Sequence, residues 1–143
     1  MMRTATVQWR GGIKDGIGKI STQTGALKDV PYGFASRFEN GAGTSPEELI
    51  GAAHAGCFTM AFAMMLTQHE LTAESIETKA TVTLEADSDG YSINHCHLEM
   101  TAKIPGASME TFTNLSTAAK NGCPVSKLIS GHAQVTLDAK LLP

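Results

Sequence analysis

Two alternating runs of apolar and polar residues read as a β-hairpin. Over residues 76–86, Ile76, Ala80, Val82, Leu84 and Ala86 fall on one face, while Glu77, Lys79, Thr81, Thr83 and Glu85 fall on the other. This two-residue period is that of a half-buried strand. Asp87-Ser88-Asp89-Gly90 supplies a turn, and residues 91–104 return with Cys96, Leu98, Met100, Ala102 and Ile104 inward and His95, His97, Glu99 and Lys103 outward. The alternation recurs over 131–141, with Ala133, Val135, Leu137 and Ala139 on the inner face. Towards the N-terminus, residues 3–10 predict a strand, the glycines at 11, 12, 16, 18 and 25 punctuate a meander, and Val30 through Phe38 predicts a further extended segment.

Helical signals fill the intervals. Ser45 suits an N-cap, Pro46 the first helical position, and Glu48 stands where its carboxylate can reach back to the cap amide. From Leu49 to Leu66 there is no Asp, Glu, Lys or Arg, and Ala52, Ala53, Ala55, Gly56, Ala61 and Ala63 lie among Met, Phe and Leu. Such a helix is expected to be buried nearly all round, with small residues that admit a neighbouring helix closely. A membrane span is the rival reading, and His54, Thr59, the acidic entry and the lack of positive flanks weigh against it. Residues 108–121 predict another helix capped by Gly122, and Pro124 to Ile129 a short one. The pattern is that of a single α+β domain over 1–143 with antiparallel hairpins.

Charge and cysteine count narrow the function classes. A net charge of −3 over 143 residues argues against a general nucleic-acid partner. No basic region followed by an apolar stretch and cleavage site marks an export signal. Three cysteines cannot all pair within one chain, so the expectation is reduced thiols in the cytoplasm.

Two of these cysteines are placed for chemistry. Cys57 lies within the apolar helix, and Cys123 precedes a proline that can open a helix, in Gly122-Cys123-Pro124-Val125-Ser126. Cys96, on an inward strand face, reads as a small core residue. A reactive thiol needs a stabilised thiolate, and Cys57 lies about three turns beyond the helix start, too far for the dipole to be its main activator. Arg37 is the best candidate cation, and Glu47, which has no capping duty, can hold its guanidinium by a bidentate contact. Other chemistry stays open at this point. His54, one turn before Cys57, suits either a Cys-His pair or a hydrogen-bonded core histidine. His95, His97 and Glu99 suit either metal ligation or a solvated strand face. No glycine-rich phosphate loop is present.

Taken together, Val7-Gln8-Trp9, Pro31-Tyr32-Gly33-Phe34, Arg37-Phe38-Glu39, Ser45-Pro46-Glu47-Glu48-Leu49-Ile50-Gly51-Ala52-Ala53-His54-Ala55, Cys57-Phe58 and Gly122-Cys123-Pro124-Val125-Ser126 closely resemble the OsmC/Ohr family of thiol-dependent hydroperoxide reductases, and its OsmC branch in particular. Ser45 stands where the family often has Asn, and both residues cap helices. The resemblance implies antiparallel sheets with long central helices in an intertwined homodimer. It also implies reduction of organic hydroperoxides with Cys57 as the peroxidatic cysteine, Cys123 as the resolving one, and Arg37 with Glu47 as the activating pair. An external thiol or dithiol would complete the cycle, with no metal, flavin or nicotinamide. Phe34, Phe38, Phe58 and nearby methionines are expected to form an apolar entrance. A Cys57-His54 hydrolase and a nonenzymatic redox or metal sensor are the competing readings.

Overall fold

The computed structural model describes residues 1–143, whose elements fall into two units, 1–49 and 50–143. In the first, β1 (Ala5–Arg10), β2 (Ile17–Thr22) and β3 (Val30–Tyr32) form an antiparallel sheet in that order. Gly18 pairs with both Trp9 and Tyr32, and a Cβ there would run into the Tyr32 ring. Its missing side chain lets Trp9 and Tyr32 approach to 5.5 Å between ring centroids.

The extended reading of 30–38 holds only as far as Tyr32, because Phe34–Phe38 is a short helix, α1. Five residues are too few to display a helical period. What makes the turn is Ser36, whose hydroxyl accepts the Gly33 amide at 2.9 Å and lies 2.8 Å from the Thr44 carbonyl, with Phe34 and Phe38 one turn apart at 5.0 Å.

The long helix α2 spans Pro46–Gln68. In residues 50–143 it is followed by β4 (Ser75–Asp87), β5 (Gly90–Lys103), α3 (Met109–Gly122), α4 (Pro124–Ser130) and β6 (Gln134–Leu142). β4 and β5 pair antiparallel as the alternation predicts, with Asp87 opposite Gly90 across the turn. A register shift leaves Asn94 as the extra residue between the Leu84–Ile93 and Thr83–His95 pairs.

β6, in contrast, runs parallel to β5, with Leu98 opposite Leu137. The second sheet is therefore mixed: the expected antiparallel pairing holds for β4 with β5, and β6 alone departs from it. The cause is the pair of helices between the strands, which provides the crossover that a parallel pairing requires.

The core is built from Phe58, Phe62 and Leu66 of α2, Leu98, Met100 and Ala102 of β5, Ile104 beyond it, and Phe112, Leu115 and Ala119 of α3. Phe62 meets the Phe112 ring edge-on at 5.8 Å.

Two helix expectations change. Gly122 is the last residue of α3 and not its cap. Cys123, with ψ 125°, ends α3 and also precedes α4, because a residue before proline is pushed out of the helical region. And α2 is not buried all round. Within the chain only the stripe Gly51, His54, Phe58, Phe62 and Leu66 is covered, while Met60 is 76% and Met64 55% exposed. A single sheet and one packed helix reach only one side of a cylinder.

Candidate active site

Cys57 and Cys123 are brought together by two local features. Cys57 borders the buried stripe of α2, so it packs against the core while keeping part of its surface exposed. Pro124 breaks the chain direction at Cys123, which is completely buried. Their Sγ atoms share a hydrogen bond at 2.8 Å, and both are free thiols.

The surroundings treat the two sulfurs differently. Burial pushes the Cys57 thiol up, and the contact with Cys123 adds to this against a small opposing pull from the Val125 amide. Burial would raise Cys123 too, but the Cys57 hydrogen bond, the Ser126 amide and hydroxyl and the Val125 amide together bring it below the ordinary thiol value. Negative charge in the pair thus favours the buried sulfur. Residues 50–143 place no cation beside Cys57 that lowers it.

His54 does not pair with Cys57. Its ring is fully buried, with Nδ1 2.9 Å from Cys96 Sγ and Nε2 2.7 Å from Ser126 Oγ. Both nitrogens are thus occupied, and a Cys57-His54 hydrolase lacks its base. Cys96 is the buried core cysteine that its strand face predicts. His95 Nε2 and His97 Nδ1 both meet Thr136 Oγ1 at 2.7 Å, and no three His, Cys, Asp or Glu side chains gather in a metal-binding cluster.

In residues 1–49, Arg37 and Glu47 meet. Arg37 Nη2 donates to Glu47 Oε1 at 2.6 Å, and Nε reaches the two carboxylate oxygens at 3.1 and 3.2 Å. Burial alone would raise the Glu47 carboxyl, but the Arg37 hydrogen bonds and charge, its own amide and Ser45 hold it below the usual value. Ser45 Oγ accepts the Glu48 amide at 3.1 Å, as an N-cap should. The Glu48 carboxylate accepts the Thr44 hydroxyl at 2.6 Å, where the sequence suggests the cap amide. Thr44 enters this turn from Gly43, at φ +118° and with room for no side chain, since a Cβ would sit 2.5 Å from the Pro31 carbonyl oxygen.

Beside the ion pair is an open cavity of about 260 Å³ lined by Trp9, Ile13, Tyr32, Phe34, Phe38 and Arg37. The Arg37 guanidinium lies 5.2 Å from the Phe38 ring centroid. Phe34 and Phe38 line this opening, whereas Phe58 is fully buried beside Phe62 in the core and does not. Trp9 and Tyr32, both paired with Gly18, and Ile13 in the turn between β1 and β2 complete this wall, and residue type alone does not reveal them. Ser126 belongs to no motif of its own, and its place three residues after Cys123 is the one local signal for it.

The model of the OsmC-like protein family matches residues 39–138. Peroxiredoxin OsmC of Escherichia coli strain K12 is 46% identical over 133 residues, covering 93% of this chain and 92% of that protein. Among solved structures, the organic hydroperoxide resistance protein OhrB of Bacillus subtilis superposes with a TM-score of 0.71 at 27% identity, covering 95% of this chain and 97% of that one. An organic hydroperoxide resistance protein OsmC from Legionella pneumophila gives a TM-score of 0.73 at 25% identity, covering 97% of each chain.

Proposed function

The chain belongs to the OsmC family, and on that premise we infer that it is a thiol-dependent peroxidase reducing organic hydroperoxides through a Cys57–Cys123 disulfide cycle. The observation that carries the two-cysteine assignment is the pair itself, one sulfur partly exposed and the other fully buried at 2.8 Å. Peroxide reaches Cys57 first. Its thiolate attacks the distal peroxide oxygen, the O–O bond breaks, the alkoxide leaves and is protonated to an alcohol, and Cys57 becomes a sulfenic acid. The Cys123 thiolate then attacks that sulfur, hydroxide departs, and an external thiol or dithiol reduces the resulting disulfide. No metal or cofactor enters the cycle.

Cys57 needs help, because burial and its neighbour favour its protonated form. We assign that help to Arg37, held by Glu47, whose charge stabilises the attacking thiolate and the oxygens of the breaking bond. The aromatic cavity beside Arg37 is assigned to the alkyl part of the substrate.

The exposed apolar face of α2, including Met60 and Met64, supports assembly as a homodimer. By length and composition α2 could also cross a membrane. Its Pro46-Glu47-Glu48 entry and the burial of its other face favour the dimer. The free thiols suit the reducing cytoplasm.

The test is peroxide consumption with supplied dithiol, scored together with mass-spectrometric mapping of the oxidised protein. Turnover that leaves a Cys57–Cys123 disulfide is the expected result, and turnover without it would defeat the assignment.

A further inference from the structure

The disulfide cycle leaves three buried polar side chains unused, and they run in line towards one of its sulfurs. Cys96 on β5, His54 on α2 and Ser126 on α4 are 0%, 0% and 3% exposed. Cys96 Sγ lies 2.9 Å from His54 Nδ1, and His54 Nε2 lies 2.7 Å from Ser126 Oγ. Cys123 is the N-cap of α4 and Ser126 the third helical residue, the spacing at which a side chain reaches back to the cap. No amide completes a strict cap bond to the Cys123 sulfur, yet the Ser126 hydroxyl and amide both favour its charge.

Burial keeps the two groups at the far end of the chain neutral. Burial pushes the Cys96 thiol up, so it keeps its proton. Burial pushes His54 down, so the imidazole stays neutral with a single N–H. In the tautomer the proposal requires, the Cys96 S–H donates to Nδ1 and the imidazole proton lies on Nε2. Nε2–H donates to Ser126 Oγ, and the Ser126 O–H is left for Cys123. Each buried side-chain nitrogen and oxygen of the chain has a partner. Cys96 and Ser126 are the groups that hold the His54 ring, and no charged side chain contributes there. Within residues 50–143, Cys57 from α2 and the Val125 and Ser126 groups of α4 face the Cys123 sulfur, again without a charged side chain.

We propose that Cys96, His54 and Ser126 form a directed hydrogen-bond chain that stabilises negative charge on the Cys123 sulfur, both when it attacks as resolving nucleophile and when it departs as leaving group. The proposal rests on the two-cysteine reading. Ser126, three residues beyond the reacting sulfur at the start of α4, acts with His54 and Cys96 as a positioning residue. During resolution, the Cys123 electron pair forms the S–S bond as the S–O bond of the Cys57 sulfenic acid breaks, and the departing hydroxide takes a proton to become water. During reduction, the external thiolate attacks Cys57, the exposed sulfur. The S–S bond breaks, Cys123 receives the electron pair, and the second thiol of the dithiol releases Cys57.

The chain is read first in C57S protein, where the ultraviolet thiolate absorbance of Cys123 is titrated. Adding S126A should raise the Cys123 pKa by roughly one unit, the loss of one hydrogen bond to a charged group. S126T keeps the hydroxyl and should titrate like the C57S parent. H54N should shift in the same direction as S126A, and should it fail to fold, S126A still carries the test.

The second readout is the pH profile of disulfide formation with Cys57 intact. One unit of pKa cuts the thiolate fraction about tenfold near neutral pH while raising its nucleophilicity about threefold, so S126A should resolve about threefold more slowly there. At alkaline pH, where both thiols are ionised, it should resolve faster than the parent, and the profiles should cross. Unchanged titration in S126A, or slowing by the same factor at every pH, would overturn the chain. A wild-type protein that forms no Cys57–Cys123 disulfide would sink the cycle instead, and the C57S titration would still decide the chain.

Discussion

Lengthening the alkyl tail of the hydroperoxide should raise kcat/KM by a factor that the Arg37 cavity sets. That cavity holds about 260 Å³, room for roughly nine groups the size of a water molecule at ~30 Å³ each. A fully buried methylene contributes about 0.8 kcal/mol, or roughly fourfold. The cavity is open on one side, so about half of that, near twofold per carbon, is the working figure. Passing from ethyl to hexyl hydroperoxide then gains roughly 16-fold, provided the contact persists in the transition state. The gain should level off once the tail outgrows the cavity, at about nine heavy atoms. The assay compares hydrogen peroxide with a series of primary alkyl hydroperoxides at one saturating dithiol concentration. Phe34→Ala removes one aromatic wall and should flatten the slope. A flat series, or hydrogen peroxide processed as efficiently as the longest tail, would refute the cavity assignment and leave the two cysteines untouched.

Cys57→Ser should abolish turnover in a folded protein, whereas Cys123→Ser should still oxidise at Cys57 but yield sulfenic acid, an external-thiol adduct or overoxidation, as mass spectrometry would show. Arg37→Ala should raise the Cys57 pKa and slow peroxide reduction near neutral pH, with Glu47→Ala smaller or comparable; unchanged thiolate titration and stopped-flow rates in both would reduce the pair to surface charges. Because the Glu47 carboxyl is held below its usual 4.5, the ion pair's stabilisation is fully present above that pH and is lost as pH falls through the lowered value. At 35% and 12% side-chain exposure it is worth at most ~1 kcal/mol, so Glu47→Gln should lose only that much in urea titrations at pH 7 and show a weaker acid dependence. Met60→Glu, at a residue 76% exposed within the chain, should cost a monomer little but break a dimer, which sedimentation would detect. Phe62→Ala empties a fully buried site against Phe112 and should cost about 3–5 kcal/mol in urea unfolding.

The β4–β5 hairpin was legible because a strand with one face in the core records its burial in every second residue. Cys96, Leu98, Met100 and Ala102 are the buried residues that the alternation selects. The direction of β6 was not legible, since a strand carries the same pattern whether its neighbour runs parallel or antiparallel, and only the two intervening helices decide. α1 escaped notice because it is held by the Ser36 hydroxyl and not by an apolar stripe. The apolar run of α2 was plain, but composition states only that a surface avoids water, and it does not say which chain covers it. At the site, residue types suggested Arg37 and Glu47 as a bidentate pair. The link from His54 to Ser126 joins positions 72 residues apart and has no local signal.

The contrast between a partly exposed Cys57 and a fully buried Cys123 makes one sulfur the sole port of the proposed cycle. Peroxide must enter there, and the reductant must enter there after the alcohol has gone, so the two substrates take turns at the same atom. Steady-state kinetics should then be ping-pong, with parallel lines in double-reciprocal plots. The port is also open to electrophiles only in the reduced form. An alkylating reagent should inactivate the reduced enzyme by capping Cys57, while a preceding equivalent of peroxide, by closing the disulfide, should shield it.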